Sequence, residues 1–93
     1  MSELNINIAA KAFADWAKPW TFYEVASAHE ALSDTDREVL GAIWIEACNA
    51  SHWNLGPFPQ GCGAADQALS VQFPWLSADA RAQVVRAASY QWR

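Results

Sequence analysis

Apolar residues recur along this chain with the 3.6-residue period of an α-helix, and prolines and capping residues divide the pattern into five segments. In the first, Ile6, Ala9, Ala10, Phe13, Trp16 and Ala17 share one side, opposite Asn7, Lys11 and Asp15. Asn5 is placed to cap this helix, and Pro19 disfavours helical geometry at Lys18, so the segment closes there. Thr21-Phe22-Tyr23-Glu24 then reads as a capping box, followed by a second helix that turns Phe22, Val25, Ala26, His29 and Leu32 inward.

The third segment carries the strongest pattern. Ser33 with Asp36 marks its start, and Asp34, Asp36 and Glu38 suit the positive end of the helix dipole. Val39, Leu40, Ile43, Trp44, Ala47 and Cys48 form a wide apolar arc over residues 34–51. Ile45 breaks it, falling on the polar side between Glu38, Asn49 and His52. A central helix contacted on two sides explains Ile45 better than an exposed partner contact does.

Residues 52–61 hold two prolines and two glycines and read as a loop laid against the helices, because it also contains Trp53, Leu55 and Phe58. A short helix over 64–72 stops at Pro74, and Ser77 caps a last helix over 78–92. Arg81 intrudes on the apolar side of that helix, where an acid from the first half of the chain is its expected partner. The fold expected is all-α: one compact domain over residues 1–93, about five short helices with one Pro/Gly-containing loop.

Composition sharpens this picture. Of 49 apolar residues, 19 are Ala, which favours helix and close helix packing but leaves only 30 larger side chains for a core. Six are Trp, and Trp16, Trp20, Trp53, Trp75 and Trp92 fall at expected helix ends or connections. Such rings either pin helix ends or stand out as partner anchors. Only 17% of residues are charged, so neutral surface is plentiful.

The net charge of −4 disfavours nucleic acid as the main ligand. It is uneven, with residues 1–63 at −5 and residues 64–93 at +1. No apolar run reaches the length of a membrane span, and the first residues lack the pattern of a secretory signal. The expected location is therefore the cytoplasm, where cysteines stay reduced.

Two constellations could carry chemistry. Cys48 and His52, four apart on a helix, project to one edge and with Cys62 and His29 would make a Cys2His2 zinc set. Separately, Cys62 between Gly61 and Gly63 would sit just before a helix, where its thiolate is favoured, with His52 as base and Asp66 as orienting group. The zinc set lacks short-spaced ligand pairs, and the thiol site lacks any sign of a substrate pocket. The acids of residues 34–38 lack the glycine turn and ligand spacing of a calcium loop.

The function expected is therefore that of a small non-catalytic protein-binding module, regulatory or inhibitory, using no cofactor. Its expected contacts are Trp20, Tyr23, Trp53, Leu55, Phe58 and Trp75. A zinc-binding domain and a thiol enzyme or redox protein are the alternatives. Size and acidity suit an inhibitor carried by a phage or mobile element against a host enzyme. A homo-dimer through the neutral helix faces is also open to so short a chain.

Overall fold

Helix α1 (Glu3–Ala12) begins at Ser2, whose hydroxyl accepts the Asn5 N–H at 3.2 Å. The computed structural model describes residues 2–54, 56 and 58–92, except for the side chain of Phe58. Asn5, expected as the cap, instead donates its side-chain amide to the Ala31 carbonyl at 3.1 Å. Ser2 can cap because an acid at Glu3 and an apolar helix follow it directly, and Asn5 is then free to tie α1 to the segment around Ala31.

The chain leaves α1 at Phe13 in an extended conformation, so the apolar run to Ala17 is not helical. Phe13 packs edge-on between Trp16 and Phe22, at ring distances of 4.9 and 5.2 Å. Pro19–Thr21 forms a single 3-10 turn, and α2 (Phe22–Ser27) follows at once. Thr21 does not cap it: its hydroxyl donates back to the Lys18 carbonyl, so the expected capping box is absent. Phe22 and Ala26 are buried, whereas Val25, expected inside, is half exposed.

Helix α3 (Asp34–Ala47) starts at a true capping box. Asp36 accepts the Ser33 N–H at 3.0 Å and the Ser2 N–H at 2.6 Å, while its own N–H donates to the Ser33 hydroxyl. One buried carboxylate thus binds the starts of α1 and α3 together. These N–H groups, Ser33 first and Ser2 second, hold its pKa below the usual carboxylate value.

The expected helix over 34–51 breaks at Cys48. Asn49 is extended, its side chain accepts the Ser51 N–H at 2.9 Å, and a separate turn, α4 (Ala50–Trp53), begins. α5 (Phe58–Gln72) starts six residues earlier than expected, with Pro59 in its first turn, where a missing N–H leaves no helix bond unmade. Ser77 caps α6 (Ala78–Gln91) as expected, accepting the Ala80 N–H.

α3 touches α1, α2, α5 and α6, and its Leu40, Ile43 and Ala47 join Ile6, Phe22, Leu69, Leu76 and Val84 in one core. The described residues contain no strand, and the Cα radius of gyration is 12.3 Å, that of a compact folded chain of this length. The all-α bundle read from the sequence is the fold. No helix among the described residues is long and apolar enough to cross a membrane.

Candidate partner-binding surface

None of the six tryptophans is fully buried, although the core beneath them is apolar. Trp20, on the 3-10 turn, is 64% exposed. Tyr23 lies half-buried, stacked on Trp44 with centroids 6.0 Å apart and planes 16° apart. Its hydroxyl rests over Gly41, where a Cβ would come within 3.0 Å. Trp75 is half-buried and meets Phe73 edge-to-face at 6.1 Å.

Trp53 is held inside the bundle's own contacts. Its indole N–H donates to the Ala47 carbonyl at 2.9 Å, and its ring lies close against Gly61 of α5. Leu55 and the Phe58 side chain lie outside the described residues. Among the described residues Trp20, Tyr23 and Trp75 make no ring contact with one another, so the sequence-predicted set is spread over separate elements.

A more continuous surface runs along α3. At 100° per residue, Asp34, Glu38, Ala42 and Ile45 fall on its outer side, opposite Leu40 and Ile43. Ile45 is 73% exposed. The expectation that a central helix would cover it is wrong: α3 does contact four helices, but all from other sides. Its place among Glu38, Asn49 and His52 in the sequence pattern was the signal of this exposure.

Beside this strip, Arg37, Gly41 and Trp44 face α2. Arg37 donates to the Ser27 carbonyl at 2.8 Å and pairs with Asp34 at 3.0 Å, so its charge is already committed. Glu24 and Glu38 are exposed and make no ion pair among the described residues. At the C-terminal end of α3, Trp92 is 42% exposed and donates its indole N–H to the Cys48 carbonyl at 3.2 Å. Asp34 and Glu38 thus mark the N-terminal half of this face and Ile45 its C-terminal half.

The residues expected to carry chemistry are dispersed. His52 faces Glu46 at 3.3 Å, and His29 Nδ1 accepts the Ala31 N–H. Among the described residues no three His, Cys, Asp or Glu side chains are grouped as metal ligands, so Cys48, His52, Cys62 and His29 are not brought together as the alternative zinc set would need. Burial pushes the Cys48 thiol up to about 11.

Cys62 lies in the second turn of α5 rather than ahead of the helix, beyond the free N–H groups that would stabilise a thiolate. Asp66 is bound to Arg81 Nε at 2.9 Å, so neither His52 nor Asp66 is set to serve Cys62. This pairing also supplies Arg81 with an acid from the second half of the chain, not the first as expected. Cys62, Gly63 and Asp66 of α5 and Ala82, Val85 and Arg86 of α6 line an open groove of about 440 Å³. The Arg86 guanidinium lies 3.9 Å from the Trp16 ring centre.

Compared with known proteins, the chain matches no family model, no curated protein and no solved structure.

Proposed function

We propose that this protein is a small non-catalytic protein-binding module, regulatory or inhibitory, that grips its partner through apolar and aromatic surface. The exposure of Trp20, Ile45 and Trp92 carries the reading, since exposed aromatic and large apolar side chains are the usual anchors of a protein interface. Tyr23, stacked on Trp44, extends the surface with a rigid ring that loses little freedom on binding. An inhibitor of a host enzyme, of the kind phages and mobile elements carry, is the setting that size and acidity favour. The zinc reading has no grouped ligands among the described residues to support it, and for the thiol reading His52 and Asp66 are engaged by Glu46 and Arg81.

Comparative affinity capture from the native host tests this. Wild type and the double variant Trp20→Ala, Ile45→Asp serve as baits, each first shown to melt within ~2 °C of the other, as exposed substitutions allow. A specific protein retained by wild type and lost by the variant is the expected result. Identical captures from both baits, or no specific protein from either, would overturn the proposal.

A further inference from the structure

We infer that the outer face of α3, with the Tyr23 edge of α2 beside it, docks a basic amphipathic segment of a protein partner. The cationic end lies over Glu38, and the apolar end over Ile45. This rests on the protein-binding reading and adds to it the chemistry of the partner.

Charge complementarity selects the occupant. Glu24 and Glu38 are exposed carboxylates without an ion pair among the described residues, and Arg37, the one cation shown bridging α2 and α3, is spent on Asp34 and Ser27. Arg81 and Arg86 are engaged by Asp66 and Trp16. A second copy brings the same acids rather than a basic end to this face, and phosphate would be repelled. A Lys or Arg side chain gains these exposed carboxylates.

Spacing fixes the pattern that fits. Glu38 and Ile45 are seven residues apart on one helix, about 10 Å along its axis. A helical partner laid along α3 therefore places its basic residues about two turns from its apolar anchors.

The test titrates the full chain with a ~18-residue synthetic helix, Leu-rich at one end and Lys-rich at the other, and with a twin carrying Glu for Lys. At low salt the Lys peptide is expected to bind at least about tenfold tighter than its twin. Glu38→Lys should weaken it about fivefold, and Asp15→Lys, the same charge change on a distant loop, less than about twofold. Ile45→Asp should weaken it about tenfold. Each variant is first matched to wild type in melting temperature, with Glu38→Gln as a milder substitute.

Equal weakening by Glu38→Lys and Asp15→Lys would reduce the attraction to net charge and overturn the inference. Equal binding of both peptides, lost together in Ile45→Asp, would also overturn it, while leaving the protein-binding reading intact. A dimer in sedimentation that Ile45→Asp dissociates would give the face to a second copy and overturn it as well.

Discussion

Asp36 shows how one side chain can organise two helix starts. Its carboxylate accepts N–H bonds from Ser2 and Ser33, and its pKa is lowered because those bonds favour the charged form. A depressed carboxyl contributes stability that is present above its unfolded value and is lost as pH falls through the folded one. Acid melts should therefore show the midpoint falling below about pH 4. In Asp36→Asn, which keeps the shape and loses one acceptor, the melting temperature should drop by several degrees at neutral pH and the acid-side fall should shrink.

Two glycines of α5 give opposite expectations. At Gly61 a methyl group would strike the Trp53 ring, whereas at Gly63 it would enter open space. Gly63→Ala should stabilise by about 0.5–1 kcal/mol through helix propensity alone. Gly61→Ala should destabilise by about 1 kcal/mol, because the clash outweighs the same propensity gain. Denaturant midpoints of the two variants decide this, and a stabilised Gly61→Ala would show that Trp53 moves freely. The cysteines differ as well. With its thiol pushed up to about 11, Cys48 should stay unlabelled by iodoacetamide at neutral pH, so Cys62→Ser should nearly abolish labelling of the folded chain.

At the level of elements, α3 and α6 were legible at their starts because Ser33–Asp36 and Ser77 are local signals that act within four residues. The breaks that sequence missed depend on distant contacts or on competing local bonds. The apolar pattern runs through Cys48 unbroken, yet Asn49 turns its side chain onto the Ser51 N–H and restarts the helix as α4. That break directs the Trp53 indole to the Ala47 carbonyl, a contact no periodicity announces. Asn49→Ala should remove the cap and cost about 1 kcal/mol, read as a lower denaturant midpoint. Thr21 failed as a cap for a related reason: the 3-10 turn offers its hydroxyl the nearer Lys18 carbonyl.

The candidate surface was half legible. Trp20 stands exposed where a turn was expected, but the importance of Ile45 depended on choosing between cover by a neighbour and solvent. Pattern alone cannot make that choice, since α3 is both central and open on one side. Trp92 was read as lying at a helix end, and the fold alone brings it to the end of α3.

For the whole molecule, exposure is concentrated in two of the six indoles, Trp20 and Trp92. Iodide or acrylamide should quench a minor, accessible part of the emission, and Trp20→Phe should remove much of it. Quenching of all six alike would contradict the packing described. The same architecture separates charge, with free carboxylates on the α2–α3 side and Arg81 and Arg86 on α6. Any partner that reads this asymmetry should associate more slowly as salt rises.

The bond from the Trp92 indole to the Cys48 carbonyl has an optical consequence. An arriving molecule that covers the C-terminal end of α3 would strip water from this half-exposed chromophore, shifting emission to shorter wavelength without any added dye. A chain keeping Trp92 and carrying Phe at the other five positions, if it folds, becomes its own sensor for occupancy of that end of the helix.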